Sequence, residues 1–270
     1  MPCLRLLSAL ILFLSAMVLP VWSEDAPPPS RCVAVANALP NVIYANLAPA
    51  QAQAEGEVSI TYAGHSTYVI ETPAGVRVAT DYSGVYGSSP LPDVVTMNKA
   101  HRTHFTDLPD PGIAHVLRGW NPAGGPARHA LVVDDVYIRN VSTDIRGWDG
   151  GMERDGNSIF IFEVAGLCIG HLGHLHHRLE DAHYSAIGRL DVVMVPIDGG
   201  MTLSLNAMSE IAGRLYSSVV LPMHRHATGI SEFLGRMGSG FAVEFPDSRT
   251  LKVSLRTLPQ RPTIIVLQGV

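Results

Sequence analysis

The sequence predicts an α+β fold of two packed sheets with helices outside, and two observations predict it. From about residue 57 to residue 170 short apolar, β-branched runs follow one another between turn signals. Beyond that point apolar runs alternate with helical, amphipathic ones, so the chain falls into a strand-rich half and a helix-alternating half of similar size. A third observation, histidines gathered at three strand ends, predicts where the chemistry lies.

The first 23 residues read as a signal peptide. Arg5 supplies a positive start, residues 6–19 are apolar but short for a membrane span, and Val21, Trp22 and Ser23 precede a cleavage point at Glu24. No cysteine follows that point to take a lipid, so the mature chain is expected to be exported, periplasmic or secreted, with no stable membrane span. Residues 24–56 form a linker and N-terminal extension, with Pro27, Pro28 and Pro29 and an alanine-rich stretch that suits a short helix. Residues 57–270 make the single main domain.

Within it, strands are expected at 58–62, 67–71, 76–80 and 94–97, the second and third joined by the turn Thr72-Pro73-Ala74-Gly75. The Gly- and Pro-rich stretch 108–128 reads as an ordered surface loop. Strands follow at 130–133, 136–141, 159–164 and 167–170. Then come a helix over 178–188, a strand at 192–196, a helix over 203–216, a strand at 219–223, a short helix at 231–237 and terminal strands.

The chain has 270 residues, 47% hydrophobic and 16% charged, enough apolar material for a large core. A formal net charge of −5 without a basic block argues against a nucleic-acid partner. After Cys3 leaves with the signal, Cys32 and Cys168 remain; an oxidising compartment would let them pair, yet no spacing marks a disulfide scaffold or a thiolate metal site.

Three apolar strands run into imidazoles. Val94 and Val95 lead to His101 and His104; residues 167–170 lead to His171, His174, His176 and His177; residues 218–223 lead to His224 and His226. Eight of the 12 histidines fall in these windows. Strand ends delivering neutral imidazole from distant sequence are how a fold assembles a site for a borderline ion such as zinc.

At these residues the chain resembles the metallo-β-lactamase-fold hydrolases, in the branch of ascorbate-phosphate lactonase-like proteins. The carriers are I-T-Y-A-G-H-S-T at 60–67, V-A-T-D at 78–81, the 93–104 block, D-G-N-S at 155–158, C-I-G-H-L-G at 168–173, D-V-V-M-V-P at 191–196 and L-P-M-H at 221–224. The resemblance spans about residues 58–245 and implies a four-layer αββα sandwich holding metal at one sheet edge. It departs at the family's H-x-H-x-D-H signature. Lys99 stands at the first His, His101 at the second, Thr103 at the Asp and His104 at the last; Ile145 stands near the third His, and His174 follows Gly173 where an Asp is usual.

What the resemblance then implies is at most one tightly held ion, most simply zinc, on His104, His174 and His224, with His101 a fourth ligand or an orienting neighbour. Lys99 would supply a fixed cation. Asp198 or Asp144 would supply a replacement carboxylate, as base or as partner to a ligand. His65, Asp81, His171 and His177 would line or support the site. The implied activity is hydrolysis of a small-molecule ester, lactone, amide or phosphoester. A non-catalytic metal- or ligand-binding descendant of the fold is the alternative, and an envelope interaction protein using residues 108–128 is a third reading.

Overall fold

Every second residue of β1 (Val58–Gly64) is apolar and buried, Val58, Ile60 and Tyr62, so this strand has one face in a core. The computed structural model describes residues 29–34, 56–87, 90–147 and 149–270. The expected signal segment and most of the N-terminal extension lie outside those residues. β1 belongs to a six-stranded sheet with β2 (Thr67–Glu71), β3 (Arg77–Ala79), β4 (Val94–Met97), β5 (His115–Arg118) and β13 (Thr250–Val253), in the order β13-β1-β2-β3-β4-β5.

The second sheet has eight strands. It contains β6 (Ala130–Val133), β7 (Val136–Arg146), β8 (Met152–Val164), β9 (Leu167–His171), β10 (Val192–Pro196), β11 (Val219–Met223), β12 (Ala242–Glu244) and β14 (Thr263–Ile265), ordered β12-β14-β11-β10-β9-β8-β7-β6. The sheets pack face to face through Ile60, Tyr68 and Val94 on one side and Phe160, Met194 and Leu221 on the other. The far face of the eight-stranded sheet, with Ile161, Val193 and Val220, is covered by α2 (Asp181–Ile187), α3 (Leu205–Leu215) and α4 (Ile230–Met237). Over the outer face of the six-stranded sheet, Val69, Val95 and Met97 pack against Tyr82, Ile113 and Phe105, so loops do the covering among the described residues. The α+β sandwich expected from the sequence is the fold observed.

β9, β10 and β11 run parallel and every residue in them is buried, as strands covered on both faces must be. β3, β4 and β5 are also parallel. Bonds between the sheets gather at one edge: Tyr68 donates its hydroxyl to Pro222 O at 2.9 Å, and the His224 N–H donates to His65 O at 2.8 Å.

Three local differences from the sequence reading have physical causes. β7 and β8 run well past residues 136–141 and 159–164 as a polar two-stranded arm, whose Met152 to Asp155 end is largely out of the core and so carries no apolar alternation. β5 lies inside the stretch read as a loop; of its residues only Leu117 is buried, so its pattern is weak. Cys32 and Cys168, left open by the sequence, are joined by a disulfide that staples α1 (Arg31–Ala34) to the start of β9, with the Arg189 N–H donating to Cys32 O at 3.0 Å.

Candidate metal centre

The edge where the inter-sheet bonds gather also collects the imidazoles. His104 follows β4 and is fully buried. Its Nδ1 lies 2.8 Å from Asp81 Oδ2 and 3.0 Å from Ser66 Oγ. Asp81 is itself fixed, because Asn98 Nδ2 donates to its other oxygen at 2.8 Å. Burial pushes the Asp81 carboxyl up, but His171, His104 and the Asn98 bond together hold it below its ordinary value. An ionised carboxylate only accepts, so the His104 proton sits on Nδ1 and Nε2 is left as a bare acceptor. That Nε2 is buried and meets no partner.

His224 repeats the arrangement at the end of β11. Its Nδ1 is 3.0 Å from Asp198 Oδ2, and its Nε2 is buried without a partner. His65, in the turn between β1 and β2, presents a third such Nε2. His65, Asp81 and His224 all have left-handed backbone, at φ +54°, +43° and +48°. Side chains with a Cβ adopt that region at a cost, and such strain concentrates at functional sites. One ring nitrogen from each of His65, His104 and His224 lies within 4.8 Å of the others.

His174 stands beside these three. Its ring centre is 4.6 Å from that of His104, 4.9 Å from His224 and 4.8 Å from His101, and both its nitrogens are buried without partners. Imidazoles bound tetrahedrally to one ion at about 2.0 Å have ring centres about 5 Å apart. The observed spacings therefore suit rings arranged around a shared ion.

Electrostatics favour the same occupant. Burial first, then the neighbouring His224 and His104, lower His65 to about 4, and burial with His104 and His224 drives His174 far below its usual range. Both rings stay neutral at physiological pH, as ligation requires. Without a cation, each unpaired buried nitrogen costs on the order of 1–3 kcal/mol. The residues present fit a metal ion.

The other expected residues are spread more widely. His101 is half-buried, 6.0 Å from His104 by ring centres. Lys99, expected as a cation facing the site, instead pairs with Glu153, with 46% of its side chain exposed, because Glu153 stands on β8 across from Ile145. Asp144 accepts the Asp155 N–H at 3.1 Å, serving the irregular β7–β8 arm. Asp198 is occupied by the amides of Gly200, Met201 and Thr202, the Thr202 hydroxyl and His224. Burial raises its carboxyl, but these donors outweigh it and hold it well below the carboxylate range, which makes it an orienting group and a poor base.

His171, at the end of β9, bonds Ser66 O at 2.8 Å through Nε2 and accepts the Gly173 N–H at 3.1 Å. It thereby braces the layer beneath His104. His177 is half-buried with an unpartnered Nε2. The residue that the sequence undervalued is His65, read as a lining group. Its sequence signals are a histidine after glycine at a strand end and its place in the 60–67 block, and the left-handed turn that aims it inward leaves no pattern.

Three outcomes follow from this geometry. Asp198→Asn should weaken metal binding roughly 10–100-fold, as losing a ligand's carboxylate partner commonly does; a competition titration against a chromophoric chelator reads it. Gly173→Ala should cost on the order of 2–4 kcal/mol in denaturant unfolding. Gly173 has φ +63°, and a Cβ there would fall 2.4 Å from both Asn157 Oδ1 and Asn98 Nδ2. The third concerns pH. Unfolded His65 takes a proton near 6.5, whereas in the fold it does so only near 4, so the unfolded state binds more protons between those values. Stability of the metal-free protein should therefore be full above about pH 6.5 and fall as pH drops toward 4, which thermal melts after chelation would show.

Comparison with known proteins agrees with this architecture. Residues 59–224 match the sequence profile of the β-lactamase superfamily domain. Over 181 residues the chain is 26% identical to a metal-dependent hydrolase of Methanosphaerula palustris, covering 61% of this chain and 82% of that one. A Thermotoga maritima structure, assigned to the Zn-dependent hydrolases of the metallo-β-lactamase superfamily, is 27% identical, covers 77% of this chain and 97% of its own, and superposes with a TM-score of 0.55. A metallo hydrolase from Ignicoccus hospitalis shares the fold at 21% identity and a TM-score of 0.50, over 68% of this chain and 92% of its own.

Proposed function

We propose that this chain, which belongs to the β-lactamase superfamily, is a metal-dependent hydrolase holding one ion, zinc, on His65, His104 and His224, with His174 beside them. The observation that carries the reading is the convergence of one ring nitrogen each from His65, His104 and His224, three residues whose Nε2 atoms are buried without a hydrogen-bond partner. Neutral imidazoles select a borderline ion over calcium or magnesium, which want oxygen. An ion bound there would act as a Lewis acid and lower the pKa of water.

The chain's own residues prepare that chemistry. Asp81 and Asp198 accept from Nδ1 of His104 and His224, which fixes each ring's tautomer and aims Nε2. Asn98 and the Gly200, Met201 and Thr202 amides hold the two carboxylates in place. Burial keeps His174 neutral, so it offers one acceptor and one donor nitrogen at the side of the site.

The substrate class is a small ester, lactone, amide or phosphoester. Export is part of the proposal, supported by the leader-like first 23 residues and by the Cys32–Cys168 disulfide, which suits an oxidising compartment. A panel of p-nitrophenyl esters and phosphodiesters, assayed before and after chelation and zinc return, tests the reading. Turnover lost on chelation and regained with zinc supports it; retained metal with no turnover on any class would move the protein to the binding alternative.

A further inference from the structure

We propose that Arg146 reads the charge of the substrate: the site takes molecules bearing an oxyanion group, phosphate or carboxylate, which this guanidinium grips beside the imidazole cluster. The inference deepens the hydrolase reading and rests on it for the word substrate. Arg146 closes β7 at the metal edge. Its backbone N–H donates to His176 Nδ1 at 2.6 Å, and His176 Nε2 bonds Met201 O at 2.6 Å. Its side chain donates from Nη1 to Gly200 O at 3.2 Å and from Nη2 to Thr202 O at 3.4 Å.

The turn after Asp198 is thus bonded in two directions. Its amides at Gly200, Met201 and Thr202 point to the Asp198 carboxylate, whose Oδ2 also holds His224. Its carbonyls point to Arg146 and His176. The guanidinium is therefore fixed to the same short turn that orients a candidate metal ligand, and the His176 ring centre lies 4.6 Å from that of His174.

Carbonyl anchors position a guanidinium without neutralising it. Among the described residues no carboxylate lies within ion-pair distance of Arg146, because the nearby acids are engaged elsewhere. Glu153 pairs with Lys99, Asp144 takes the Asp155 N–H, and Asp149 takes the Gly151 N–H at 2.9 Å. Arg146 is exposed, so donors not used on the turn remain open to an incoming group. Neutral imidazoles would bring no charge to an ion's own shell, and the Asp81 and Asp198 carboxylates stand behind the His104 and His224 rings, so the ion's open face would stay positive and share one edge with the guanidinium. A planar fork of donors beside such a centre fits an oxyanion that can be held by two parallel bonds.

Calorimetric titration of the protein as purified, with inorganic phosphate and separately with acetate, tests this. The wild type should bind at least one of the two anions, and Arg146→Met should weaken that binding at least about ten-fold with metal content unchanged. Arg146→Lys, which keeps the charge but not the fork, should recover part of it. Phosphate bound in preference points to a phosphate-bearing substrate, acetate in preference to a carboxylate-bearing one. Equal affinity in wild type and Arg146→Met, or no binding of either anion, overturns the proposal. Should Arg146→Met shed metal by loosening the turn, Arg146→Lys carries the comparison and must bind at least about three-fold more weakly than wild type; equal affinity again overturns it. Arg146-dependent binding in a protein that never holds metal would support the oxyanion site and overturn the hydrolase reading alone.

Discussion

Replacing His104 with alanine should strip the protein of its metal and of its activity together. The substitution deletes one of three convergent imidazoles and leaves two, too few for a tight zinc site. Affinity should fall by more than about 100-fold, beyond the range seen when only a ligand's partner is lost. The fold should suffer too. Asp81 is fully buried and would lose the His104 bond, keeping that of Asn98, and a lost hydrogen bond to a charged group costs about 1.5–3 kcal/mol. Chelator competition and urea melts on one preparation separate the two effects. Wild-type metal affinity in His104→Ala would place the ion elsewhere.

Removing the disulfide should have the largest effect on stability. Cys32 and Cys168 are separated by 136 residues and both are buried. Loop-closure entropy for so long a loop amounts to about 5 kcal/mol, and measured losses for native bridges usually fall at about 2–5 kcal/mol. The double variant Cys32→Ala with Cys168→Ala should therefore unfold on the order of 10 °C lower. Cys168 opens β9, whose other end carries His171, so the bridge anchors a strand that supports the metal edge. Scanning calorimetry of the double variant checks this. A melting point within about 2 °C of wild type would mean that the bridge adds little to the folded state.

The parts of the fold legible in the sequence are those where one physical pattern dominates. β1, β10 and β11 read clearly because alternation or an unbroken apolar run reports their burial directly. The outer β7–β8 arm is not legible: apart from the buried Ile145 its residues are mostly polar, and side-chain bonds such as Ser142 to Asp155 and Asn157 to Thr143 add to its ladder. The disulfide could not be read because pairing over so long a separation depends on tertiary folding.

The site divides along the same line. Strand-end clustering makes His104, His174 and His224 legible, and the V-A-T-D block at 78–81 places Asp81 among the supporting residues. His65 enters through a left-handed turn, and no periodicity encodes φ +54° at a histidine. Lys99 departs from its expected place because its partner, Glu153, lies on a strand extension that polar residues conceal.

A single ion on converging imidazoles is what the geometry requires of the metal count. Elemental analysis of protein purified without added metal, after dialysis, tests it most directly. One equivalent of zinc per chain is expected, lost in His224→Ala. Two equivalents surviving dialysis, or none that rebinds on adding zinc, would contradict it.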